Sequence, residues 1–165
     1  MDISYRDILP EEGVQAADIE EICFPPNEAC PRDVMIRRAA TVCDLFLVAA
    51  DKETGKLVGF LKGLATDEGS FRDEFFIDET LNDPQGANIL LCGLDVLPEY
   101  RGHGIARTLV EKYAERERAK GRSRLILTCL EAKVGMYEKM GFADLGISAS
   151  TWGGEEWHEM DMQLR

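Results

Sequence analysis

The stretch Val96-Leu97-Pro98-Glu99-Tyr100-Arg101-Gly102-His103-Gly104-Ile105-Ala106-Arg107 constrains the fold of this chain more than any other. An apolar strand-like run passes directly into a helical run, with two glycines at the junction. A helix start carries unpaired N–H groups and the positive end of the helix dipole, so it is a ready anion site. Gly102 and Gly104 remove the Cβ atoms that would hold an anion off the backbone, and they permit positive φ. Arg101 and Arg107 add positive charge, and a guanidinium can fork onto phosphate oxygens. The stretch therefore predicts a strand–turn–helix unit that binds a phosphorylated ligand through a diphosphate. It is not the lysine-bearing phosphate loop, because no Gly-Lys-Ser or Gly-Lys-Thr follows. Nor is it the dinucleotide fingerprint, which needs a third glycine.

A second unit lies downstream. Leu125-Ile126-Leu127-Thr128-Cys129 reads as a buried strand after the Gly121-Arg122-Ser123 turn signal, and residues 131–139 read as a short helix stopped by Gly141. Two motifs at this separation carry a resemblance. Arg-x-x-Gly-x-Ala, from Arg101 to Ala106, is similar to the coenzyme A diphosphate loop of the GNAT superfamily of N-acetyltransferases. Gly135-Met136-Tyr137-Glu138-Lys139-Met140-Gly141-Phe142 is similar to that superfamily's Tyr-Glu-Lys-x-Gly-Phe signature. The segments around Cys129 to Tyr137, Trp157 to Arg165, and Phe24-Pro25-Pro26-Asn27-Glu28-Ala29-Cys30-Pro31 resemble the arylalkylamine (serotonin-type) branch, whose substrate loop holds a Phe and then Cys-Pro before a helix.

The resemblance implies a mixed α/β fold of one domain over residues 1–165: a mostly antiparallel sheet of about seven strands, splayed between the fourth and fifth, with about four helices. It implies acetyl-CoA as acetyl donor and no metal. The donor would lie on the backbone of Arg101, Gly102, His103, Gly104, Ile105, Ala106 and Arg107 and along the strand edge at Leu94 and Val96. Tyr137 would act at the thioester sulfur as general acid, although a tyrosine there also reads as core packing. Phe24 and Pro31 would belong to the acceptor site, with Pro25, Trp152 and Trp157 as further aromatic or apolar walls. The acceptor so implied is a small-molecule primary amine, an arylalkylamine by the branch. The alternatives are a polyamine, peptide or protein amine, or a coenzyme A-binding regulatory module without catalysis.

Acetyl transfer requires a neutral nitrogen, and a lysine-like amine has a pKa of about 10.4. Removing its proton at neutral pH costs roughly 4–5 kcal/mol, more than protonating a departing thiolate does. A base is therefore the larger requirement. The vertebrate arylalkylamine enzymes place a His-x-His pair on the strand before the coenzyme loop, where this chain has Leu90 and Cys92. The asparagine common ahead of the tyrosine is also missing around Leu130 and Glu131. Glu159, Asp67 and Glu68 are the remaining carboxylates considered for the role. His103 sits within the loop that offers its backbone N–H, and His158 reads as a strand-pairing residue. A water chain to solvent is the other route.

The net charge of −12 over 165 residues excludes the basic footprint that nucleic acid requires. It also suits the attraction of cationic amines, although acidic surfaces serve solubility in general. Five scattered cysteines with no CxxC pair indicate neither a disulfide framework nor a zinc site. No apolar run of membrane-spanning length is present, which predicts a cytoplasmic protein, monomeric or homodimeric, with no membrane partner. Strands are predicted over residues 3–9, 45–50, 57–64, 89–96, 125–129, 143–150 and 156–164. Helices are predicted over 10–23, with Val14, Ala17, Ile19 and Ile22 inward, and over 32–42, 104–120 and 131–139. Residues 66–86 are acidic and irregular, with Phe71, Phe75 and Phe76 as anchors.

Overall fold

A computed structural model describes all residues, 1–165. In chain order the main elements are β1 (Ile3–Asp7), α1 (Gly13–Cys23), α2 (Arg32–Thr41), β2 (Phe46–Asp51), β3 (Leu57–Thr66), α3 (Glu74–Ile77), β4 (Asn88–Val96), α4 (Ile105–Ala119), β5 (Arg124–Cys129), α5 (Val134–Lys139), β6 (Ala143–Ile147) and β7 (His158–Gln163). The strands form one seven-stranded sheet in the order β1-β2-β3-β4-β5-β7-β6. Every neighbouring pair is antiparallel except β4 and β5, which run parallel. The mixed α/β architecture expected from the sequence is present, with α3 as an additional single helical turn.

Both faces of the central strands are covered, which is why β2 and β3 read as largely apolar runs, broken in β3 by the buried Lys62, instead of alternating ones. Leu47 and Ala49 of β2 belong to one core, under α4, while Phe46, Val48 and Ala50 belong to another, under α1 and α2. Helix α4 turns Ile105, Leu109, Val110, Tyr113 and Ala114 inward at helical spacing, and its one buried charge, Glu117, is paired with Lys120 and Arg122. The acidic segment before β4 is fastened by Phe71, Phe75 and Phe76, all buried as expected.

Helix α1 departs from the expected face. Val14 and Ile22 are 49% and 60% exposed, whereas Ala16, Ala17, Ile19 and Glu20 are buried. Two causes turn the helix. Its small residues let it lie close against α2, with Gly13 beside Ile36 and Ala39. Glu20 accepts a 2.8 Å hydrogen bond from the Cys30 amide, which draws that carboxylate inward.

The parallel pairing of β4 with β5 lasts only for Asn88, Ile89 and Leu90 against Arg124, Leu125 and Ile126. Beyond that point β4 follows β3 as far as Val96 opposite Gly59, and β5 follows β7 as far as Cys129 opposite His158. The register of β3 on β4 jumps between Gly63–Leu91 and Lys62–Gly93, so Cys92 is the extra residue of a bulge. A bulge bends its strand and adds twist, and here it lies where the two strands part. The far end of β4 is held by close backbone approach: a Cβ on Gly59 would stand 2.5 Å from the Asp95 carbonyl oxygen. Gly59→Ala is accordingly expected to lower stability by about 1–3 kcal/mol through overpacking. A chemical-denaturation midpoint equal to that of the unaltered protein would contradict this account of the β3–β4 contact.

Candidate active site

The gap between β4 and β5 opens a cleft of about 670 Å³. One wall is the turn entering α4. Gly102 and Gly104 adopt φ of +80° and +75°, and nothing lies within 4 Å of where either Cβ would be. The space facing the turn is thus free of protein atoms, and a helix of full length begins behind it at Ile105. These residues fit a diphosphate held by backbone N–H groups. His103 is exposed and does not line the cleft, consistent with a backbone contribution only.

The arginines of the turn are engaged differently from the sequence expectation. Arg101 Nε donates to the Val96 carbonyl at 2.9 Å, and its Nη2 lies 3.7 Å from Cys23 Sγ. Arg107 Nη2 donates to the Lys139 carbonyl at 3.3 Å. Both guanidiniums brace the turn against backbone oxygens left over at element ends, which is the usual need at such ends. Leu94 and Val96 line the cleft, with the Val96 carbonyl already accepting from Arg101 and from the Cys23 thiol.

On the opposite wall, α5 presents Tyr137, packed edge-on to Phe142 at 5.6 Å between ring centroids. Its hydroxyl has no protein hydrogen-bond partner. Burial raises the phenol pKa well above its ordinary value, and the charges of Cys129 and Asp95 add to the effect. The phenol is therefore neutral and able to donate at physiological pH.

The third wall joins distant segments. Phe24, Pro25, Phe76, Trp152 and Trp157 line it, and Phe76 and Trp152 stack at 4.8 Å. Trp152 Nε1 donates to the Glu28 carbonyl at 2.8 Å, and Trp157 Nε1 donates to the Trp152 carbonyl at 2.9 Å. Pro31 is not part of this wall: it is exposed at the N-cap of α2, and its neighbour Cys30 lines the cleft instead.

The carboxylates singled out in the sequence as bases have structural partners elsewhere. Glu159 accepts from Ser70 and from the Phe71 amide, Asp67 from the Ala87 amide, and Glu68 pairs with Arg72. His158 faces Asp144 across β6 and β7. Cys92 lines the cleft, while Leu90 is fully buried away from it.

Three carboxyls line the cleft, Glu20, Glu28 and Asp95, none of them singled out as a base in the sequence, and two of the three are buried. Asp95 of β4 is 1% exposed and Glu20 of α1 is 4% exposed. Neither Asp95 oxygen, nor Glu20 Oε1, receives a hydrogen bond from an N–H or hydroxyl. The Glu20 carboxyl lies within hydrogen-bonding reach of Asp95, and two carboxyls can bond only by sharing a proton. Burial raises the Asp95 pKa well above the carboxylate range, and the nearby Glu20 charge raises it further, while Lys62 opposes both. Asp95 lay hidden in an apolar strand run and Glu20 in a Glu-Glu pair. Only the buried position of Asp95 within an otherwise inward-facing strand carried a signal.

The geometry of the glycine turn gives a first test. Gly104→Val imposes a β-branched side chain on left-handed backbone and on the ligand's space, costing about 1–2 kcal/mol from the backbone alone. Acetyl-CoA affinity in calorimetry should fall by about tenfold or more. Unchanged affinity would remove the turn from the donor site.

Comparison with known proteins bears on the family and the fold. The sequence profile of the Acetyltransferase (GNAT) family matches residues 14–142. Serotonin N-acetyltransferase of Mesocricetus auratus is 29% identical over 164 residues, which is 98% of this chain and 77% of that protein. Among solved structures, the GphF GNAT-like decarboxylase in complex with isobutyryl-CoA superposes with a TM-score of 0.83 at 20% identity, covering 98% of this chain and 100% of that one. The yncA protein of Salmonella typhimurium, a putative acetyltransferase solved with its cofactor acetyl-CoA, gives 0.65 at 16% identity, covering 100% and 95%. No helix of this chain is long and apolar enough to cross a membrane. The chain belongs to the acetyltransferase (GNAT) family, and is an N-acetyltransferase whose acetyl donor is acetyl-CoA.

Proposed function

We propose that the protein acetylates the primary amine of a small molecule with an aromatic body, an arylalkylamine, by direct attack while donor and acceptor are bound together. The observation that carries this reading is that the glycine turn and an aromatic wall of Phe24, Phe76, Trp152 and Trp157 line one cleft. Holding two reactants in one site is worth on the order of 7–11 kcal/mol in favourable cases. The likeness to a serotonin N-acetyltransferase over nearly the whole chain supports the same acceptor class.

Roles follow from position. Backbone N–H groups from Arg101 to Ala106 hold the diphosphate, with Arg101 and Arg107 bracing the turn. Leu94 and Val96 form the strand edge along which the donor's chain lies. Bound acetyl-CoA supplies a thioester whose carbonyl carbon accepts the amine. Tyr137, a neutral buried phenol without a protein partner, donates to the departing sulfur. Phe24 with Trp152 packs the acceptor's ring, and Pro31 serves only by starting α2 and fixing the loop that bears Cys30.

Purified protein with acetyl-CoA is expected to acetylate tryptamine and phenethylamine in preference to spermidine or peptides, with products read by mass spectrometry. Preference for a peptide or for spermidine would replace the arylalkylamine assignment. Acetyl-CoA binding with no acetylated product would point to a regulatory module. Tyr137→Phe should lower kcat by about 10²-fold while leaving acetyl-CoA affinity unchanged.

A further inference from the structure

The Glu20–Asp95 pair is an unusual arrangement. Three of its four oxygens are buried without a donor, and a buried carboxylate in that condition is costly unless something else meets it. The nearest cation does not. Lys62 of β3 is 1% exposed, and its Nζ donates to the Cys92 carbonyl at 3.4 Å, forming no ion pair with either carboxyl. Lys62 Nζ and Asp95 Oδ1 stand 3.7 and 3.5 Å from the point a Cβ on Gly93 would occupy, so both lie beside Gly93, which lines the cleft with Asp95. The fourth oxygen, Glu20 Oε2, is fixed by the Cys30 amide, which holds the pair in place.

We propose that Glu20 and Asp95 together bind the acceptor's ammonium group and take its first proton. The inference rests on the amine-acetylation reading and names the base that the sequence lacks. With one proton shared, the pair carries a single negative charge, and both carboxyls belong to the lining of the cleft. An ammonium entering there meets its hydrogen-bond acceptors and gives up one proton to the pair, leaving a neutral amine. The nitrogen lone pair then forms the N–C bond as the C–S bond breaks. The second proton leaves the nitrogen and one reaches the sulfur through Tyr137, giving the amide and the coenzyme thiol. The pair returns its proton to water on product release, so the net reaction releases one proton.

The charged and titratable groups around the pair are compatible with this role. Cys23 of α1 and Cys30 of the following loop are thiols whose pKa burial raises, so they remain neutral. Lys62 of β3 is a buried cation that opposes the negative charge at Asp95. Tyr137 of α5 is near enough for the Asp95 charge to raise its pKa.

The test compares the unaltered protein with Asp95→Asn and Glu20→Gln in three measurements: tryptamine acetylation against pH, calorimetric binding of tryptamine to the coenzyme A-loaded protein, and thermal melting. Each variant should lower kcat by about 10²-fold or more. Each should weaken tryptamine binding by at least tenfold and remove the acidic limb of the kcat/KM profile, with acetyl-CoA affinity retained. The sign for stability is also fixed. An acid with a folded pKa above its unfolded value destabilises the fold progressively as pH rises past the unfolded value. Asp95→Asn should therefore melt higher than the unaltered protein at pH 7. If one variant does not fold, the other carries the same expectations for rate and binding. Unaltered kcat, pH profile and tryptamine affinity in a folded variant would overturn the proposal. Tryptamine binding that depends on the pair, without acetylation, would overturn the arylalkylamine reading and leave the ammonium site standing. No tryptamine binding by the unaltered protein would overturn both.

Discussion

Everything at the site depends on the parting of two parallel strands. β4 and β5 share a ladder for three residue pairs and then follow different partners. Backbone groups of a buried strand normally find partners on both sides, and an edge left open inside a domain has to be met by something else. The Cys92 bulge lies where the strands separate, and the Gly59 contact keeps the freed end of β4 against β3. The resulting cleft is bounded by a helix start, a tyrosine-bearing helix and an aromatic loop wall. Local chemistry follows from that one divergence.

Rigidity on either side keeps the gap from closing. The two cores press on opposite faces of β2 and β3, so these strands cannot shift toward β5 without disturbing packing on both sides. On the far side, Arg124 pairs with Asp161 at 2.8 Å and holds β5 to β7. The cleft is thus a feature of two well-supported half-sheets, and its walls can carry buried polar groups that a looser site would hydrate.

Much of this was legible in the sequence, because it depends on local signals. The paired glycines, the helix that follows them and the Tyr137 motif each lie within a short segment, and the strands and helices were readable from periodicity within a few residues at their ends. What could not be read depends on meeting across distance. The inward turn of Glu20 is set by the Cys30 amide and by contact with α2, against the apolar pattern that favoured Val14 and Ile22. Asp95 looks like one polar residue in a strand until Glu20 arrives from 75 positions earlier. The engagement of Arg101 by the Val96 carbonyl was likewise invisible, because it requires knowing where β4 ends. Pro31, expected in the acceptor site, is exposed and initiates a helix, and its neighbour Cys30 lines the cleft instead.

The indole hydrogen bonds carry a consequence for how the chain becomes an enzyme. Trp152 reaches the carbonyl of Glu28, joining segments 124 positions apart, and Trp157 in turn holds Trp152. During synthesis the chain emerges from its N-terminus, so the loop at 24–31 waits for nearly the whole polypeptide before its partner exists. The glycine turn, by contrast, lies directly between β4 and α4, which are neighbours in sequence. A nascent or C-terminally trimmed chain would therefore carry the glycine turn while still lacking the indole-held wall of the cleft, which would be the last part of the site to close.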